Sequence, residues 1–426
     1  MRLNEEIIRI LKKNVAMALG CTEPIAACLA VVKAREILGK EPDRVELHVS
    51  GNIYKNGLGV GIPGTKMKGL LVAGALGIYT GSSSDLLEVL KNVNSEIAEA
   101  AESFVSDERI SVQIIDNVDK LYIKAKAYAG EDCAITEIAK SHTNIISGRL
   151  NGELVFEKDS DIEKLEASDE SSYAKLSVAS IVEFAKSTSF DSISFIMQGV
   201  DCNWSIAHEG LNGEYGLQVG KKLHATYVNS LLGNEIMVSA MSKAAAGVDA
   251  RMSGSMMPVM TNSGSGNQGI TIYVPIIDLA EKLKAREDIL ARALIIANAI
   301  PIHIKHSIGP LSALCGIVPA SAGVAAGASY LLGGDVEQIK SAVQYVLGNT
   351  SGVFCDGAKP SCALKSSTGI SAAIQAAIFS TQNCITPNGD GILDNDVEET
   401  IVHLSKIASI GMAKTDDQII EIMKSK

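Results

Sequence analysis

The sequence predicts an α+β protein in which a mostly helical unit stands beside a smaller α+β unit with an antiparallel sheet. Three observations carry this. Five stretches between residues 43 and 157 alternate apolar with polar side chains and have turn residues between them, as antiparallel strands do. From residue 173 onward one helix-periodic segment follows another, rich in Ala, Gly and Ser that let helices approach closely. Between the two lies DSDIEKLEASDESS, residues 159–172, which reads as a charged connector. A chain of 426 residues is also too long for one small core. The expected organisation is N-terminal helices over 1–40 packing on the helical domain, the α+β domain over 41–160, and the helical domain over 161–426.

In chain order, residues 3–19 and 23–38 read as helices. Gly20 ends the first, Thr22 is the expected N-cap of the second, and Pro24 suits its first turn. Cys21 then sits at a helix N-terminus, where the dipole favours a thiolate and a lowered pKa. The strands are expected at 43–51, 110–118, 120–129, 133–141 and 143–157, with helices at 66–78 and 84–105 on one face. Further helices are expected at 173–187, 219–231, 234–249, 278–299, 311–331, 335–347, 363–380 and 394–411.

The 38 basic and 49 acidic residues give a net charge of -11, which argues against a nucleic-acid surface. MRLNEEIIRILKKNVAMALG has helical spacing and not the layout of a signal peptide, so a cytoplasmic location is expected. The uncharged run 307–334 has the length of a membrane span, but its prolines, glycines and serines fit a helix buried in protein better, and no membrane partner is expected.

In a reducing compartment, eight cysteines point to metal ligands, nucleophiles or buried thiols and not to a disulfide frame. Cys28, inside AACLAVV, reads as core; Cys133, Cys202 and Cys384 read as packing or surface residues. Cys315 lies among helix-opening and helix-breaking residues, and Cys355 and Cys362 frame a Gly-, Ser- and Pro-rich loop. Three such thiolates suit zinc or an iron-sulfur cluster, although C-x6-C is not a standard ferredoxin spacing, so spacing alone leaves ordinary buried thiols open. TNSGSGNQG, residues 261–269, is either a plain loop or an anion cradle. In the second case Asn262, Ser265, Asn267 and Gln268 hold a substrate's carboxylate and amine. His303, Lys305 and His306 are candidates for carboxylate binding or cluster tuning, and Ser366, Ser367 and Thr368 for a helix cap or pocket wall.

GCTEPIA at 20–26, LSALCG at 311–316 and CDGAKPSCALK at 355–365 resemble the L-cysteine desulfidase family, relatives of the iron-sulfur L-serine dehydratases, over nearly the whole chain. The resemblance implies a [4Fe-4S] cluster in the helical catalytic domain, held by Cys315, Cys355 and Cys362 with one iron left open as a Lewis acid. It implies Cys21 as the proton acceptor; the residues expected to bind the substrate are those of the reading above, Asn262, Ser265, Asn267, Gln268 and Lys305. The reaction implied is β-elimination of L-cysteine to pyruvate, ammonia and hydrogen sulfide. Selectivity against L-serine and assembly into a homo-oligomer are left open. The competing readings are a pyridoxal-phosphate lyase using Lys243, Lys359 or Lys365, an iron-sulfur redox protein with Cys21 as fourth ligand, and a structural zinc protein.

Overall fold

Helix α1 (Arg2–Asn14) stops short of the expected residue 19 because Met17–Ala18 leaves the helix to form a two-residue strand, β1. β1 pairs antiparallel with Val259–Met260, tying the start of the chain to its middle. The computed structural model describes residues 2–158, 172–226, 235–309, 312–384 and 389–425. All of the expected connector but Ser172, the end of the helix expected at 219–231, and Leu311 lie outside these residues.

Helix α2 (Thr22–Leu38) is buried along most of its length and packs on the sheet and on a helix at Leu70–Tyr79. Its N-cap is Cys21, with extended backbone, and not Thr22 as expected. The Thr22 hydroxyl is engaged elsewhere, donating to the Gly264 carbonyl at 2.8 Å.

The sheet has six strands: β2 (Arg44–Val49), β3 (Ile110–Ile114), β4 (Tyr122–Ala129), β5 (Asp132–Ala139), β6 (Ile145–Leu150) and β7 (Glu153–Glu157). Their spatial order is β3-β2-β4-β5-β6-β7. All neighbours pair antiparallel except β2 and β3, which run parallel in the register Val45↔Ile110 to Val49↔Ile114. The sheet is therefore mixed and not antiparallel throughout. Helices α3 (Gly51–Gly57), α4 (Leu70–Tyr79) and α5 (Ser95–Ser106) lie between β2 and β3 in the chain, and such a long connection lets the second strand return in the same direction. The strand expected at 143–157 is the hairpin β6–β7, turned by Asn151 and Gly152 at φ 51° and 88°. The helix expected at 84–105 is a short 3-10 segment, Ser83–Glu88, followed by α5.

The helical unit comprises α6 (Val178–Ser187), α7 (Phe190–Ile193), α8 (Gln198–Asn212), α9 (Val219–Leu223), α10 (Ile236–Met252), α11 (Gly266–Leu283), α12 (Glu287–Ile308), α13 (Ile317–Leu331), α14 (Val336–Thr350), α15 (Cys362–Thr381), α16 (Val397–Lys406) and α17 (Ala413–Lys424). The helix expected at 278–299 is in fact two, because Lys284 takes a left-handed conformation after α11 and the chain restarts as α12. Small residues make the contacts between them: a Cβ at Gly323 of α13 would stand 2.2 Å from the Ala297 carbonyl of α12. Among the described residues no helix is long and apolar enough to cross a membrane.

Candidate active site

Both units contribute side chains to one cavity of about 1000 Å³ counted out to its mouth. Cys21 and Glu23 enter from the start of α2, Arg251 from the end of α10, Lys305 from the last turn of α12, and His142 from the turn between β5 and β6. Cys315, Cys355 and Cys362 line the same cavity, so the structure brings the four singled-out cysteines together.

The loop expected at 261–269 is already helical from Gly266. Ser265 is its N-cap, accepting from the Gln268 N–H at 3.4 Å, and this puts Asn267 and Gln268 on the first turn of α11, where they line the cavity with Ser265. Asn262 does not line it. Its amide donates to the Asn298 carbonyl at 3.0 Å and to the Asn298 side chain at 3.1 Å, so it shapes the turn before α11.

Glu23 is the hub of the polar wall. Its Oε2 accepts from the Cys21 thiol and the Thr22 hydroxyl, each at 3.1 Å, and its Oε1 accepts from Asn56 Nδ2 at 3.0 Å. His142 Nε2 stands 3.9 Å from the same Oε1. Burial acts to raise the Glu23 carboxyl, but His142 and the hydrogen bonds from Cys21 and Asn56 together hold it below its ordinary value. Cys21 is pushed well above the ordinary thiol range by burial and then by the Glu23 charge. The expected shift of Cys21 towards neutrality is thus reversed. A helix N-terminus contributes only modestly, whereas full burial beside a carboxylate penalises a thiolate heavily.

Arg251 Nη2 donates to the Gly20 carbonyl at 2.8 Å, just before Cys21, and Nη1 to Asn267 Oδ1 at 2.9 Å. Burial lowers the pKa of both His142 and Lys305. Four buried polar atoms of cavity residues have no hydrogen-bond partner within the chain: Asn56 Oδ1, His142 Nε2, Arg251 Nε and Gln268 Oε1. Unpaired buried polar atoms are costly, and so many around one cavity suit a polar occupant.

The cysteine wall is built by two segments laid side by side. Leu314 and Phe354 form an antiparallel bridge, the Cys315 N–H donates to the Val353 carbonyl at 2.9 Å, and the Cys355 N–H donates to the Ala313 carbonyl at 2.6 Å. Cys362 is the first residue of α15, and its N–H donates to the Lys359 carbonyl at 2.9 Å. The hydrogen bond between the Cys315 and Cys355 thiols raises Cys315 and, with Lys55 nearby, lowers Cys355 to about 6, as befits two sulfurs sharing one proton. Burial raises Cys362. Lys365 also lines the cavity and pairs with Asp356. Among the described residues no three His, Cys, Asp or Glu side chains are grouped to hold a metal ion as they stand. Three thiols lining one cavity are a donor set that zinc or an iron-sulfur cluster takes.

The remaining candidates fall outside the cavity. His303 pairs with Glu398 at 2.6 Å, and His306 stacks on Tyr173. Ser366 shares a hydrogen bond with Thr271, and Thr368 donates to the Leu364 carbonyl. Lys243 is paired with Asp278. Cys28 is pushed up to about 12 by burial, in keeping with its reading as core. Sequence reasoning missed Glu23, Asn56, His142 and Arg251. Only Glu23 carried a signal, two residues after Cys21.

A half-open cavity that pairs a thiol with a carboxylate and adds three more thiols is suited to be the site of an enzyme. Residues 84–421 match the family described as serine dehydratase alpha chain, and the chain belongs to that family, which makes it a lyase of the dehydratase type. It is similar along its whole length to proteins called UPF0597 protein. That of Parabacteroides distasonis is 40% identical over 428 residues, covering 100% of this chain and 99% of the relative. That of Bacteroides thetaiotaomicron is 40% identical over 423 residues, covering 99% and 98%. That of Oleidesulfovibrio alaskensis is 39% identical over 419 residues, covering 98% and 97%.

Proposed function

We propose that this chain is an iron-sulfur lyase that removes the β-substituent of a small L-amino acid, with L-cysteine the preferred substrate and pyruvate, ammonia and hydrogen sulfide the products. The observation that carries the reading is the meeting of Cys21, hydrogen-bonded to Glu23, with Cys315, Cys355 and Cys362 around one cavity rimmed by unpaired polar atoms. Family membership supports the reaction class.

Cys315, Cys355 and Cys362 would hold a [4Fe-4S] cluster, and Lys55 and Lys365 beside them offset thiolate charge. When bound, such a cluster supplies a Lewis acid that lowers the basicity of the leaving sulfur or oxygen. The rest is done by the chain. Arg251, Lys305 and the N-terminal turn of α11 with Ser265, Asn267 and Gln268 receive the substrate carboxylate, since a guanidinium, an ammonium and a helix N-terminus all favour an anion. Glu23 and the Asn56 carbonyl oxygen face the substrate ammonium. Cys21 takes the proton from Cα, after which the β-substituent departs and the released aminoacrylate hydrolyses in water.

L-Serine differs by one atom and fits the same walls, so the dehydratase reaction is the second activity to assay. The pyridoxal-phosphate reading is disfavoured because Lys243 is paired with Asp278 and Lys359 and Lys365 with Asp356. Cys21 as a fourth cluster ligand is disfavoured because its thiol is engaged by Glu23. Anaerobically purified protein is expected to contain iron and to release sulfide and pyruvate from L-cysteine. Cys21→Ser should keep the iron and lose the release, whereas Ala at Cys315, Cys355 or Cys362 should lose both. Protein free of iron, or iron lost in Cys21→Ser, would overturn these assignments.

A further inference from the structure

A thiol cannot accept a proton on sulfur until it has given one up, and at Cys21 that proton has one evident destination. Cys21 and Glu23 are only 5% and 9% exposed, and the Cys21 thiol donates to Glu23 Oε2 at 3.1 Å. We propose that Glu23 carries the Cys21 proton, taking it before the substrate's Cα–H bond breaks and giving it up when the leaving group departs. The inference rests on the elimination reaction proposed above and adds a second proton-carrying residue to it.

The protons balance. The Cys21 proton passes to Glu23, leaving a thiolate and a carboxylic acid. The thiolate takes the Cα proton and becomes a thiol again, while the Cα–H electron pair forms the new double bond and the Cβ–S bond breaks with its pair on sulfur. The departing hydrosulfide takes the proton from Glu23 and leaves as hydrogen sulfide. Both residues are restored, with no oxidant or reductant involved.

The carboxylate is held for this task. Asn56 fixes Oε1 at 3.0 Å, and Oε2 stays directed at Cys21; the Thr22 hydroxyl, whose shorter bond goes to the Gly264 carbonyl, lies 3.1 Å from the same Oε2. The other charged or titratable groups around the pair are His142, Arg251 and Lys305. His142 is a poorer carrier, since its Nε2 stands 3.9 Å from Glu23 Oε1 and makes no hydrogen bond. The resting proton lies on sulfur, because burial and the adjacent charge raise the thiol while Glu23 is held low. The thiolate is therefore scarce but strongly basic, as a weakly acidic Cα–H requires. An acid in the first turn of a helix also favours the dipole, and a purely structural Glu23 would do no more than that.

The test is Glu23→Gln, which keeps an oxygen for Asn56 and removes the charge. Alkylation of Cys21 by iodoacetamide, followed by mass spectrometry of its peptide across neutral and alkaline pH, should become faster at neutral pH in the variant. At the same time kcat for pyruvate formation should fall by roughly 100-fold or more, separately from any rise in KM caused by the lost ammonium contact, with iron content little changed. Glu23→Asp should recover part of the rate. Turnover of Glu23→Gln within about threefold of the parent would overturn the inference, by the same scale of proton-transfer effects. An unchanged Cys21 alkylation profile would do so too, as would a rate loss that merely follows lost iron. If the parent chain turns over neither L-cysteine nor L-serine, the proposed function fails, while the alkylation comparison still decides whether Glu23 governs the Cys21 proton.

Discussion

Lys55 Nζ lies 2.5 Å from Asp416 Oδ1 and 3.3 Å from the carbonyl oxygen of Cys355. The last described helix, α17, thus anchors a buried lysine of α3 that in turn holds the backbone of a cysteine in the cavity wall. Asn52 adds a hydrogen bond to the second Asp416 oxygen at 3.3 Å.

Removing one partner of a buried ion pair leaves an uncompensated charge, which costs roughly 3–5 kcal/mol. Asp416→Ala should lower stability by that order in denaturant unfolding. It should also lower the iron retained after anaerobic purification, because the carbonyl of Cys355 loses a fixed neighbour.

Gly357 has φ +93°, and a Cβ there would stand 2.2 Å from the Lys55 carbonyl oxygen. Gly357→Ala therefore combines backbone strain of about 1–3 kcal/mol with a clash against main chain. A lowered melting temperature together with reduced iron content is expected; unaltered values would show that the loop adapts.

Arg251 reaches Gly20 and Asn267 with separate nitrogens, an arrangement that a single ammonium cannot copy. Arg251→Lys should raise KM for L-cysteine by roughly 10- to 100-fold, in line with the 1.5–3 kcal/mol of a charge-assisted hydrogen bond. Steady-state kinetics on the anaerobic enzyme would measure this.

Asp249 is fully buried on α10; its Oδ2 accepts from the Gly220 N–H at 3.1 Å and its Oδ1 has no partner. Burial raises its carboxyl from 3.8 to about 6. The protonated form is favoured in the folded chain, so this contribution to stability is complete below the unfolded value of 3.8 and is lost as pH rises through about 6. Asp249→Asn should flatten that part of the pH–stability curve by up to roughly 3 kcal/mol, read from urea midpoints between these two values.

The α+β character, with strands in the first part of the chain and helices dominating the rest, could be read from the sequence because strands repeat every second residue and helices every three to four. Alternation is blind to strand direction, which is why the parallel pair β2–β3 could not be foreseen. Apolar spacing likewise carried across Lys284 and hid the break between α11 and α12. Three of the four cavity cysteines stood out through their Gly- and Pro-rich surroundings, and Cys21 through its place at a helix start. His142 and Arg251 were invisible because their meaning comes only from neighbours far away in the chain. Asn262 was singled out by composition, which cannot say that its side chain would turn away towards Asn298.

Lys55 and Asp416 are 361 positions apart. Synthesis must therefore have passed Asp416 before the bond between them can form, and a nascent chain that has not reached it has an unbraced cysteine loop. On the proposed function, loading of the three cysteines should accordingly follow synthesis of α17, and truncation before Asp416 should yield protein that folds in large part yet stays colourless.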